Sequence, residues 1–321
     1  MGFIIFYIRR FYNLGNTFYF NWEPALMEWL QTHMGSFGAT AMSYCSAFGE
    51  ELILIGVMCI LYFIYDKETA KYVARRYMVA SCGFAFIKNI FCRLRPYFVH
   101  DNVKCLKPVD PNADLYDITH QGFSFPSGHS AGSMAIFGGA AVKIKKGWFR
   151  ALAAIIILLV GISRFALGAH YPTDVLAGWG IGILSICLFS LMEKYIRNRK
   201  IVYLIWLLIF LPGFFFAATT DFYSSYGMMI GVFGADLFEA KFVKFEKPKN
   251  IFTGILRIVG ALAIYYTLNV LLKMPFGSEF RSSATLASYL VRATRYGLML
   301  FVPMAIYPMC FKPLGKIFFK K

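Results

Sequence analysis

The sequence predicts an all-α, polytopic transmembrane helical bundle of about nine spans. Three observations predict it. Of the 321 residues, 58% are hydrophobic and only 16% are charged, against about 45–50% and about 25% in soluble domains. The mean hydropathy is +0.57. Apolar runs recur along the chain at lengths near the roughly 20 residues that cross a bilayer as a helix.

Taken in order, the predicted spans are 49–65, 70–92, 128–143, 149–167, 172–193, 201–218, 225–239, 251–272 and 286–309. The seventh is the weakest, being short and carrying Asp236 and Glu239. Ahead of the first, residues 1–47 mix Trp22, Trp29 and several tyrosines with polar residues, a pattern suited to the membrane interface rather than its core. Met1–Phe20 lacks a long apolar run followed by small residues, so no cleavable signal peptide is expected. The chain therefore divides into an interfacial segment (1–47), a membrane core (48–200) and C-terminal transmembrane helices of unassigned role (201–321).

The net charge of +16 does not indicate nucleic acid, because basic residues in so apolar a chain collect in cytoplasmic loops and beside anionic headgroups. Alternate connections carry four basic residues each: Lys67, Lys71, Arg75 and Arg76; Lys143, Lys145, Lys146 and Arg150; Lys194, Arg197, Arg199 and Lys200; Lys241, Lys244, Lys247 and Lys249; Lys312, Lys316, Lys320 and Lys321. That is twenty of the 33 Lys and Arg, and it predicts these connections inside and the other set outside. Seven cysteines, an odd number without CxxC spacing, argue against a metal cluster or a disulfide scaffold. Cys92 and Cys105 could pair in an oxidising compartment only if their geometry allowed it.

Three polar clusters fall at span ends on the predicted outer side. Lys88 and Arg95 lie two helical turns apart, on one face, before Pro96. Two stacked cations suit a multiply charged anion, and equally suit snorkelling at a boundary. Pro126-Ser127-Gly128-His129 opens the third span, where Ser127 caps the helix and its free N–H groups favour an anion beside His129. By itself it is also an ordinary capped helix with an interfacial histidine. The third cluster is Ser163, Arg164, His170 and Asp174. Pro172 sets a helix start that lets Asp174 fold back to His170, as a carboxylate that fixes an imidazole tautomer does. Arg164 adds a planar fork for phosphate oxygens. An interfacial ion pair beside a capped helix is the plainer alternative.

Together the clusters resemble the type-2 phosphatidic acid phosphatase family, whose signature is K-x6-RP, PSGH and SR-x5-H-x3-D. Lys88, Arg95, Pro96, Pro126, Ser127, Gly128, His129, Ser163, Arg164, His170 and Asp174 all match, over roughly residues 48–200. The resemblance implies a metal-independent integral membrane phosphatase, without cofactor, that acts on a lipid phosphate or diphosphate. It implies that His170 attacks phosphorus, Asp174 orients it, His129 protonates the leaving oxygen, and Lys88, Arg95, Ser127, Gly128 and Arg164 hold the phosphate. The expected partners are the phosphorylated lipid and the surrounding membrane lipids, with the site on the extracytoplasmic face of a cell membrane. The alternatives are a lipid-diphosphate phosphotransferase, a soluble sugar-phosphate phosphatase of the glucose-6-phosphatase type, and a non-catalytic lipid carrier. Glu50 and Glu51 mark the outer end of the first span. Arg292 and Arg295, near the ninth, either line a headgroup cavity or face neighbouring helices.

Overall fold

A computed structural model describes residues 15–311, and in these residues the chain is helical throughout apart from connections and one isolated bridge. Helix α1 spans Trp22–Ala47 and kinks at Gly35, whose φ of 59° lies in the left-handed region. Helix α2 (Glu51–Ile60) continues through a π turn, Leu61–Tyr65. Helix α3 (Lys67–Phe91) starts at Asp66, which accepts from Thr69 N at 2.8 Å, and stops at Cys92, which takes a left-handed conformation.

Helix α4 begins as Gly128–Ser133, passes through the π turn Met134–Gly138 and ends as Gly139–Ile144. Two long apolar helices follow, α5 (Gly147–Ala166) and α6 (Pro172–Tyr195). Pro172 opens α6, where its missing N–H costs nothing. The C-terminal part comprises α7 (Arg199–Phe210), α8 (Thr220–Phe238), α9 (Ile251–Leu271) and α10 (Leu286–Phe301), the last extended by a π turn at Val302–Ile306.

Every apolar segment expected as a span is therefore a helix, but nine spans do not follow. Among the described residues only α5, α6 and α9 are long and apolar enough to cross a membrane on length and composition, or four spans if the α1–α2 pair, bent by 47°, counts as one. For α3 and α8 the physical reason lies in charges folded inside the bundle, whereas α7 and α10, at 12 and 16 residues, fall short in length. Lys71, Arg75 and Arg76 of α3 are buried. Lys71 pairs with Glu239, Arg75 lies 3.0 Å from Asp236, and Arg76 lies 2.7 Å from Glu193. Asp236 also accepts from the Tyr203 hydroxyl. The two acids that weaken the seventh segment in sequence thus tie α8 to α3. Five of the cations counted in basic connections, Lys67, Lys71, Arg75, Arg76 and Arg199, pair in the same network, and Lys312, Lys316, Lys320 and Lys321 lie outside the described residues. The chain is a multi-pass membrane protein all the same: its long helices present leucines and isoleucines outward, Leu176, Leu184 and Leu191 of α6 among them.

Close helix approach brings the three polar clusters to one end. On α6, Gly178 holds Ser127 O only 2.5 Å from where a Cβ would sit, and Gly182 does the same for Met134 at 2.6 Å. Small residues one turn apart are what let helices in a bilayer approach this closely.

Candidate active site

The site is assembled at the C-terminal end of α3, the start of α4 and the α5–α6 turn. Ser127 caps α4, its hydroxyl accepting from Ser130 N at 3.4 Å and from the Ser130 hydroxyl at 3.0 Å. Ser127 N in turn donates to Asp174 O at 3.0 Å, which binds the α4 start to the first turn of α6. Phe84 links two clusters. Its ring lies 3.0 Å from where a Gly128 Cβ would sit and 5.6 Å below the Lys88 ammonium.

Arg95 reaches the third cluster directly, with Nη1 donating to Ala169 O at 2.8 Å and Nε to Gln121 O at 2.8 Å and Gly122 O at 3.0 Å. The polar connection between α3 and α4 is thereby folded back over the site. Arg164 donates to the Ser46 hydroxyl at the end of α1, and its carbonyl accepts from His170 N at 3.2 Å. His129 packs against the α1–α2 junction: its Cβ lies 2.9 Å from where a Gly49 Cβ would sit. Beside it, Glu50 pairs with Lys107 at 2.6 Å, and Glu51 accepts from the Tyr265 hydroxyl at 3.1 Å.

The electrostatics are one-sided. Lys88, Arg95 and Arg164 are all buried, yet the nearest carboxylate to Lys88 is Asp221 at 3.9 Å. Neither Arg95 nor Arg164 has a carboxylate partner among the described residues, and Arg164 Nε makes no hydrogen bond. Buried cations without counter-charges are costly. Such a pocket gains most from an anion. His170, in the turn between α5 and α6, is held well below the usual histidine range, first by burial and then by the positive charges of Arg95, Arg164 and Lys88. Its imidazole is therefore neutral near pH 7 and has a lone pair to offer.

Asp174 lies where the sequence places it, with Oδ2 at 3.5 Å from His170 Nδ1. The carboxylate is more heavily engaged than its sequence spacing suggests. Oδ2 accepts from Tyr171 N at 2.8 Å, and Oδ1 accepts from Arg93 Nη1 at 2.7 Å. Arg93 lies between Lys88 and Arg95 and was not singled out in the sequence. It is fully buried, sits 3.8 Å from the Tyr171 ring, and donates from Nη2 to Glu23 Oε2 at 3.0 Å. Glu23, in the first turn of α1, also accepts from Thr173 N at 3.0 Å and from the Thr173 hydroxyl at 2.6 Å. The N-terminal helix therefore holds the residues on which His170 depends. A lone Glu in an aromatic-rich segment gave only one signal, a carboxylate at a helix start.

His33 and His120 stand outside this arrangement, whereas the His100 ring meets Tyr171 edge-on at 5.9 Å. His120 pairs with Asp117 at 2.7 Å on the exposed connection. Cys92 and Cys105 are free thiols, and Cys92 donates to Asn89 O at 3.3 Å. Among the described residues no group of His, Cys, Asp and Glu could hold a metal ion.

Comparison with known proteins matches residues 69–198 to the PAP2 superfamily, and residues 223–317 to the PAP2 superfamily phosphatase transmembrane extension. The chain is 30% identical over 169 residues to the lipid A 4'-phosphatase of Bacteroides thetaiotaomicron, covering 49% of this chain and 71% of that protein. The chain belongs to the PAP2 superfamily. Two further relatives of this superfamily chain bracket its likeness. The phosphatidylglycerophosphatase B of Bacillus subtilis is 34% identical over 27% of this chain, and the chain spans 48% of that protein's length. The undecaprenyl-diphosphatase of Sulfolobus acidocaldarius is 27% identical over 44% of this chain and 64% of its own. No solved structure matches. The helices α8 to α10, which had no assigned role in the sequence, fall within the superfamily's transmembrane extension.

Proposed function

We propose that this protein is a metal-independent membrane phosphatase that removes phosphate from a lipid phosphate or diphosphate through a phosphohistidine at His170. The single observation that carries the proposal is the buried, carboxylate-poor triad Lys88, Arg95 and Arg164 converging beside a neutral imidazole. In it, a phosphate oxygen replaces the missing counter-charges, and N–H groups at the α4 start add donors. His170 Nδ1 faces Asp174, which leaves Nε2 to form the bond to phosphorus as the bond to the ester oxygen breaks. His129, on a separate helix start, takes up a proton once the bound phosphate offsets the neighbouring cations and passes it to the departing oxygen. Water then hydrolyses the phosphohistidine. Residues 48–200 form the catalytic core and 201–321 the extension. The names of the relatives, all acting on lipid or polyprenyl phosphates, support a lipid over a soluble ester. The site belongs on the extracytoplasmic face of the cell membrane.

The test is phosphate release by the purified protein from phosphatidate, phosphatidylglycerol phosphate, undecaprenyl diphosphate, sphingosine phosphate and glucose 6-phosphate, each with and without EDTA. Release from one or more lipids, unaffected by EDTA and inhibited by vanadate, is expected. Release from glucose 6-phosphate alone, or loss with EDTA and recovery with magnesium, would overturn the proposal.

A further inference from the structure

Resting on that reading of the catalytic site, we infer that the C-terminal helices build a second anion site, Arg292 and Arg295 above an apolar cavity, that takes another negatively charged group and a hydrocarbon chain of the same substrate lipid. The position follows from contacts that run outward from the catalytic triad. Lys88 faces Asp221 at 3.9 Å, at the start of α8. One helical turn further along α8, about 5 Å, the Ser224 hydroxyl accepts from Arg292 Nε at 2.7 Å. Arg295 lies one turn beyond Arg292 on α10, and both guanidinium groups lie about the Tyr296 ring, at 5.3 and 5.0 Å from its centre.

Arg295 is buried to 8% exposure, and its Nε makes no hydrogen bond. Neither arginine has a carboxylate partner among the described residues. A buried guanidinium with an unused donor is expensive unless an anion meets it. The connection from α9 to α10 brings Lys273 and Arg281 to the same end of the bundle. Of the nearby acids, Asp221 is turned to Lys88, and Glu51 accepts from Tyr265.

Below the arginines the same faces become apolar. On α10, Arg292, Tyr296 and Leu300 follow at four-residue intervals, as do Arg295 and Met299, so each stacks over the next. On α8, Ser224, Met228 and Val232 do the same. Leu300, Met299, Met228 and Val232 line a cavity together with Met58 of α2 and Met78 of α3, and Glu51, bound to Tyr265, is its one charged lining residue among the described residues. Its interior is about 100 Å³ and opens into a wider space that solvent reaches. Guanidinium groups one and two helical turns from the lining residues Met299 and Leu300, with flexible thioethers along the walls, suit an anionic headgroup with a hydrocarbon chain beneath it. Gly231 keeps this arrangement tight, with Gly297 O 2.3 Å from where its Cβ would sit.

The test compares two substrates of the purified full-length protein in mixed micelles, dioleoyl phosphatidylglycerol phosphate and dioleoyl phosphatidate. They share acyl chains and differ by one phosphodiester. The double variant R292Q/R295Q is expected to raise the ratio of the two KM values about tenfold or more, the loss of one or two charge-assisted bonds, while R292K/R295K keeps most of the discrimination. An unchanged ratio would overturn the inference. So would Arg-dependent activation of phosphatidate hydrolysis by added phosphatidylglycerol, because the site would then hold a separate lipid. If the Gln pair fails to fold, Leu300→Trp carries the test by filling the cavity. It should raise KM for dioleoyl but not dihexanoyl phosphatidylglycerol phosphate, and equal effects on both would count against the site. If the wild type releases phosphate from neither lipid, the catalytic reading fails on its own. Retention of phosphatidylglycerol phosphate by wild type but not by R292Q/R295Q in native mass spectrometry would still uphold the second site, and equal retention would overturn it.

Discussion

Replacing Glu23 by glutamine tests whether the N-terminal helix positions the reacting histidine. Glu23 is fully buried and touches no phosphate-facing cation. The amide oxygen can keep both bonds from Thr173, now 3.0 and 2.6 Å long. The amide nitrogen would then face Phe20 N and Arg93 Nη2, two donors now 2.8 and 3.0 Å from Oε2. Donor would meet donor, and Arg93 would lose one of its two carboxylates. Breaking a buried pair costs about 3–5 kcal/mol. Asp174 still neutralises Arg93, so the lower end, about 3 kcal/mol, is expected. The released Arg93 also disturbs the Thr173–Asp174 backbone that fixes His170, and small misplacements of a catalytic group cost about 10- to 100-fold in rate.

The assay is kcat and KM of E23Q alongside its thermal midpoint in detergent. A lower midpoint and a fall in kcat of at least about tenfold, with KM changed little, are expected. R93Q in combination with E23Q should lose less than the product of the two single effects, because both changes break the same pair. Wild-type kcat in a folded E23Q, or multiplicative effects in the double variant, would refute this role for the N-terminal helix.

Other outcomes follow from the same geometry. Arg95→Lys should lower kcat/KM about 10- to 100-fold, since one ammonium cannot satisfy three carbonyl bonds and still offer a fork to phosphate; unchanged turnover would make Arg95 a boundary residue. His170 is depressed below its ordinary value, so protonation switches the nucleophile off only as pH falls below about 6.5. With an aryl phosphate already dianionic at pH 6, kcat/KM should stay level from pH 7.5 to 6.5, and an acid limb centred above 7 would contradict the electrostatic account. Asn112→Cys, on the exposed connection over the site, should react with an impermeant maleimide on intact cells; labelling only after permeabilisation would reverse the proposed orientation.

Helix positions were legible because apolar runs and local stop signals are encoded side by side. Asp66, Ser127, Pro172 and Asn250 open helices at or within a few residues of where the runs begin. The candidate-site clusters were legible through short spacings, as in His170 and Asp174, four residues apart across one helix start. Long-range pairing was not. Arg93 meets Glu23 across 70 residues, Lys71 meets Glu239 across 168 and Arg164 meets Ser46 across 118. No periodicity marks such partners. The same blindness affects the loop assignment, because a cation paired inside the bundle reads in sequence like a cation in a loop. Trp22–Ala47 escaped recognition as a helix because Gly35, Gly38 and its scattered polar residues leave no apolar stripe.

The central claim, that His170 attacks phosphorus while His129 serves the leaving oxygen, is tested most directly by trapping the phosphoenzyme. Wild-type protein mixed with a 32P-labelled lipid phosphate and quenched in alkali should carry an acid-labile, alkali-stable label, the behaviour of a phosphorus–nitrogen bond. His170→Ala should carry none with any substrate. His129→Ala should still be labelled by an activated aryl phosphate, whose departing oxygen hardly needs a proton, while losing about 10²–10⁴ in rate on alkyl phosphates. A label that persists in His170→Ala, or equal losses for aryl and alkyl substrates in His129→Ala, would contradict the assignment.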